Sequence, residues 1–146
     1  MATKKKAVKK AVKKKVVKKA VRKRSAPKTL FYCFRQNNSG GAFVYDAKRG
    51  ISVNVIVEAY GTQDANDRAF DIGLYFDGEG DCQCCGSRWH EQQGYDKGTP
   101  EPAVYDSVVT PNSKFQKDDI KWMTNGEFEG FIHYVGGPVK FAGFWK

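Results

Sequence analysis

Residues 4–24 contain thirteen cations and no acid, aromatic residue or glycine. Such a stretch has too little apolar surface to offset the entropy of ordering it, so it cannot join a core, and folding is left to the rest of the chain. The cations are Lys4, Lys5, Lys6, Lys9, Lys10, Lys13, Lys14, Lys15, Lys18, Lys19, Arg22, Lys23 and Arg24. Through Lys28 the chain holds fourteen Lys/Arg and no Asp/Glu, a net +14. The other eleven Lys/Arg stand against sixteen Asp/Glu, a net −5, so the chain's +9 comes from one end. Charge split in this way predicts a polyanion-binding arm, residues 1–28, on a separately folded unit, residues 29–146.

The arm repeats itself: AVKKAVKKK at 7–15 is followed by VVKKAVRKR at 16–24. At about 100° per residue, a nine-residue unit turns a helix by a net half turn, so the apolar stripes of the two units face opposite ways. That argues against a membrane-surface helix. Like charges at i,i+4 also oppose helix in water, and disorder in the free state is the expectation. A signal peptide needs a longer apolar run, and no stretch approaches the roughly 18 apolar residues of a membrane span. The protein is therefore expected not to be secreted or membrane-bound. In composition the arm resembles the Lys/Ala/Val-rich tails of linker-histone-like and bacterial histone-like proteins; the competing reading is a solvated tail that only aids solubility.

The remaining 118 residues suit one domain, and all ten Phe, seven Tyr and three Trp lie there. LFYCFR at 30–35 predicts a strand, QNNSGG at 36–41 a reversal, and AFVY at 42–45 a returning strand that makes a hairpin. From Ile51 to Ala59 apolar residues alternate with Ser52, Asn54 and Glu58, broken only by Ile56, which predicts a strand with one buried face. Thr62 is placed to cap a helix on which Ala65, Ala69 and Ile72 share a face and which Gly73 ends. Extended chain is expected to restart at Leu74, Tyr75 and Phe76. Short edge strands are expected around Ala103–Val104–Tyr105 and Ser107–Val108–Val109. A turn at Asn125–Gly126 should lead into a final hairpin of strands 128–135 and 139–144. The fold class is α+β: a small, mainly antiparallel sheet with one helix and a Cys-rich loop, behind a basic tail.

That loop reads DCQCCGSRWH at 81–90. Cys82 and Cys85 form a C-x-x-C-G turn, a common half-site for zinc, because the spacing aims two thiolates at one ion. Zinc needs four ligands. Cys84, His90, Cys33 and His133 are the candidates to join Cys82 and Cys85; adjacent Cys84 and Cys85 are expected not to share an ion easily, which points to His90 with one distant residue. A disulfide, a redox pair and plain packing are the rival readings.

FYCFRQNNSGGAF, VNVIVEAYGTQDANDRAFDIGLYFDG and DCQCCGSRW together resemble a group of small uncharacterised proteins encoded by tailed bacteriophages, over about residues 30–90. The resemblance implies an infected bacterial cytoplasm or a virion as the setting. It assigns no residue a role, and the lysine arm is an addition to its pattern. No phosphate loop, nucleophile elbow or zinc-protease motif occurs, and the two histidines are isolated, so no enzyme is expected. Two functions remain: a sequence-nonspecific nucleic-acid-binding accessory protein acting through its arm, or a protein-interaction module, such as a virion component or an inhibitor of a host factor, with an incidental arm.

Overall fold

The computed structural model describes residues 25–37, 43–78, 81–111 and 130–142. Residues 1–24 of the arm, with its thirteen cations from Lys4 to Arg24, the glycine-rich part of the 36–41 turn and the turn at Asn125–Gly126 lie outside the described residues. The body is α+β. Its elements are β1 (Leu30–Arg35), β2 (Asn54–Ala59), α1 (Thr62–Ile72), β3 (Ala103–Val104), β4 (Ser107–Val108), β5 (Gly130–His133) and β6 (Val139–Ala142). The main sheet runs β1-β2-β5-β6; β2 and β5 pair in parallel and the other pairs are antiparallel.

β2 is the spine of this sheet. It lies between β1 and β5, and five of its six residues are buried. Val55, Val57 and Ala59 face the helix and pack with Ala65, Ala69, Phe34 and Trp89. Ile56 faces the other way, against Phe31, Val104, Val109 and Ile132. The expectation of one buried face is corrected here. A central strand covered on both sides needs apolar residues on both, and Ile56, the break in the alternation, is the residue that supplies the second. The strand is also shorter than expected, because Ile51 to Val53 bend away while staying buried.

The expected hairpin between 30–35 and 42–45 does not form. β1 pairs instead with β2, Leu30 opposite Ala59 and Arg35 opposite Asn54. A turn signal marks a reversal but does not choose a partner, and the long apolar register of β2 outcompetes three residues at 43–45. Tyr45, with Ala47 just beyond it, packs instead on Phe131 and Phe141. Residues 74–76 are not a strand either; Leu74 turns inward and is buried in the helix-side core.

Thr62 is the first helical residue and not the cap. Gly61 holds the cap position, and Asp64 Oδ2 accepts the Tyr60 amide at 2.9 Å. Gly73 ends the helix as expected, at φ 114. The two-stranded β3–β4 hairpin and the β5–β6 hairpin also follow the expectation, within the described residues. Among the described residues no helix is long and apolar enough to cross a membrane.

Candidate metal centre

The end of β1 builds the platform for the cysteine loop. Gln36 is 2 % exposed and its side-chain amide is a hub. Its Nε2 donates to the carbonyls of Val44 and Ser52, at 2.9 and 3.2 Å. Its Oε1 accepts from the Val44 amide and from Arg88 Nη1, the latter at 2.7 Å. Asn37 takes the next step: its amide donates to the Arg88 carbonyl at 2.7 Å, and its Nδ2 donates to the carbonyls of Cys85 and Ser87. Two adjacent residues therefore fasten the returning side of the loop, residues 85–88, to the end of β1.

The loop is closed at its base by Asp81 and Arg88. The Asp81 carboxylate accepts from the Arg88 amide and from the Tyr75 hydroxyl, the latter at 2.7 Å, and its Oδ1 lies 3.8 Å from Arg88 Nε. Burial opposes ionisation of Asp81, but the Arg88 amide, the Tyr75 hydroxyl and the Arg88 guanidinium outweigh it and hold the carboxyl below its ordinary range. Next to this clasp Trp89, 3 % exposed, plugs into the helix-side core. Within the loop the Gly86 amide donates to the Cys82 carbonyl at 3.0 Å, which folds the chain back on itself.

This reversal brings the sulfurs of Cys82, Cys84 and Cys85 within 4.8 Å of one another. Cys82 and Cys84 are 2.7 Å apart and Cys84 and Cys85 3.8 Å. Tetrahedral zinc with Zn–S bonds of about 2.3 Å has sulfur–sulfur edges of about 3.8 Å. One edge is already at that length, and the Cys82–Cys84 edge must open by about 1 Å to receive an ion. Cys84 and Cys85 are exposed, so the group faces solvent.

The thiols interact strongly. The Cys84 and Cys85 thiols, followed by their backbone amides, donate to Cys82 and bring its pKa down to about 6. The same contact with Cys82, reinforced by Cys85, pushes Cys84 up to about 11. At neutral pH the cluster therefore presents a thiolate at Cys82 supported by neighbouring thiol protons. A soft divalent ion takes such a group by displacing those protons.

The cluster differs from the expected ligand set. Cys82 and Cys85 do converge, but the adjacent pair Cys84–Cys85 also shares the site. A turn, unlike a strand, does not send consecutive side chains to opposite faces, and the C-x-C-C reversal uses that freedom. His90 is exposed and outside the converging group. Cys33 lies on the far face of the sheet, where burial drives its thiol up to about 12 and its Sγ sits 3.9 Å from Asn54 Oδ1. His133 is buried, with Nε2 donating to the Gly50 carbonyl at 2.8 Å. None of the four cysteines forms a disulfide. Gln36 and Asn37 were not legible as the platform, since polar residues before a glycine-rich turn look like surface. Asp81 and Arg88, an opposite-charge pair flanking the cysteines, were the readable signal for the clasp.

No curated protein and no solved structure matches the chain. A family model does match, over residues 29–146, a span that takes in every described strand, the helix and the cysteine loop. The chain belongs to that uncharacterised family, the Domain of unknown function (DUF7296).

Proposed function

We propose that this is a phage-encoded, sequence-nonspecific nucleic-acid-binding accessory protein, in which the lysine arm neutralises phosphates and the α+β body is the folded unit that carries it. The observation behind this reading is the charge split, +14 through Lys28 against −5 in the remainder. Lys, Ala and Val do not read base edges, and the arm has only two Arg and no Asn or Gln, so its affinity is electrostatic and independent of sequence. The family match begins at residue 29, which supports treating the arm as an addition to the family's pattern. The test compares full-length protein with a full-length variant whose thirteen arm cations are Gln, on random duplex and single-stranded DNA. The reading requires a large loss of affinity in the variant; equal affinity would make the arm incidental and favour the protein-interaction alternative.

Zinc at Cys82, Cys84 and Cys85 belongs to the same proposal. Three converging sulfurs and one edge of tetrahedral length support it, with the fourth ligand coming from outside the trio. Protein purified without chelators should carry about one zinc per chain by elemental analysis and should melt lower after chelation. Metal-free protein whose melting point chelator leaves unchanged would remove zinc from the account.

A further inference from the structure

On the face of the sheet opposite the helix, β1, the β3–β4 hairpin and residues 96–99 enclose a cleft of about 280 Å³ that is separate from the cysteine loop. That volume is near the lower end for small-molecule sites, about 300 Å³ upward. Its wall is built to close tolerance. The backbone of Phe31 exchanges hydrogen bonds with Thr99 at 2.8 and 2.9 Å, and a Cβ on Gly98 would lie 2.8 Å from both Leu30 Cβ and Tyr32 Cζ. Helix and cleft are joined through Asn66, which exchanges hydrogen bonds with the Gln92 backbone, while Gln92 Nε2 donates to the Cys33 carbonyl at 3.1 Å.

The lip is the unusual part. Tyr105 has φ 53 and is the one non-glycine with positive φ among the described residues. It is the first of two residues joining β3 to β4, a position where a positive-φ hairpin turn ordinarily takes glycine. Packing does not account for a tyrosine there, because the residue is 58 % exposed. The Arg35 guanidinium lies 5.0 Å from the centroid of that ring. Lys97 lines the cleft too, and the one carboxylate in the lining, Asp96, is engaged by the Gln93 amide. A strained backbone thus holds an aromatic face in water beside the Arg35 cation, in a cleft that Lys97 also lines, and strain of this kind collects at ligand sites.

We infer that this cleft receives an unpaired nucleobase, stacked on the Tyr105–Arg35 pair with Arg35 and Lys97 meeting the adjoining phosphate. The inference rests on the nucleic-acid reading above and gives the body its own role in it. An aromatic face flanked by cations matches a π-face joined to an anion, and every base offers that face, so the preference is for single strands over duplex without regard to sequence. The same chemistry is present in a strand and in a free nucleotide.

The experiment uses full-length protein, oligothymidylate, a duplex of the same length, and thymidine monophosphate as competitor. Tyr105→Gly removes the ring and relieves the backbone strain. It should weaken single-strand binding about tenfold, leave duplex binding and its salt slope unchanged, and keep or raise the melting temperature. Tyr105→Phe should bind like the parent, and Arg35→Gln should weaken single strands selectively. Competition by the monophosphate would identify a free nucleotide as a sufficient ligand, and its absence a strand; each supports the cleft. Unchanged single-strand affinity in Tyr105→Gly, or an equal loss on duplex, overturns the inference. The salt slope reports the arm and the single-strand-to-duplex ratio reports the cleft, so either can fail without the other.

Discussion

Cys82 and Cys33 show how the same side chain takes opposite characters from its surroundings. Cys33 lies in β1 on the sheet face away from the helix, and desolvation pushes its thiol pKa up to about 12. Cys82 lies in a turn where two neighbouring thiols and their amides stabilise the thiolate, with a pKa of about 6. Alkylation by iodoacetamide, mapped by mass spectrometry across pH, should therefore modify Cys82 with a midpoint near 6 and leave Cys33 almost untouched. Cys84→Ser weakens the donor to Cys82 and should move that midpoint up. Equal, unsaturated rise of both rates toward pH 9 would contradict the arrangement. The C-x-x-C-G spacing made Cys82 and Cys85 legible as a pair. The sharing of one site by adjacent Cys84 and Cys85 was not legible, because it depends on a backbone reversal fixed by Gln36 and Asn37, 45 or more residues away in sequence.

Among the elements, β2 and β5 carry the fold, and His133 on β5 is their most exacting residue. It faces the segment at Gly50, where φ is 74 and an added Cβ would sit 2.8 Å from the imidazole ring. Burial lowers the His133 pKa below 6.5, partly countered by the Gly50 carbonyl that accepts from Nε2, and Arg68 lowers it further. The folded state therefore binds this proton less readily than the unfolded chain. Stability is complete above the unfolded value of about 6.5 and falls as pH drops from there toward the folded value. The Asp81 carboxylate acts later: its lowered pKa withdraws stability only below the ordinary carboxylate range, as pH falls through its folded value. In denaturant melts the difference between the parent and His133→Gln profiles should open near pH 6.5 and grow as pH falls, apart from the loss between about pH 9 and 6 that the lowered Cys82 pKa gives both proteins and the more acidic loss from Asp81. A flat parent profile from pH 7 to 5 would contradict a buried neutral imidazole. Element positions were readable where periodicity was strong, as in β1, α1 and the β5–β6 hairpin. Pairing was not readable, because the parallel contact of β2 with β5 joins residues 76 apart, with nothing local to announce it.

For the whole molecule the governing fact is charge, and charge was fully legible. The described body is a mixed sheet with a helix on one face and a hairpin on the other, and it presents two features to solvent: a three-thiol loop and a cleft with a strained tyrosine lip. Both features are built from described residues of the body. In the proposed function the arm supplies strength and range, and the cleft supplies the preference for unpaired bases. The two contributions respond differently to salt, since phosphate contacts release counterions and stacking does not.

The most direct test of the account is a salt titration of full-length protein on random duplex DNA, with the thirteen-Gln arm variant alongside. If about eight arm cations engage phosphates, log K should fall with log salt at a slope near −7. The variant, carrying the net −5 of the body with one remaining arm-side cation at Lys28, should bind weakly and show a shallow slope. A shallow slope for the full-length protein, or the same slope and affinity in both, would contradict the account.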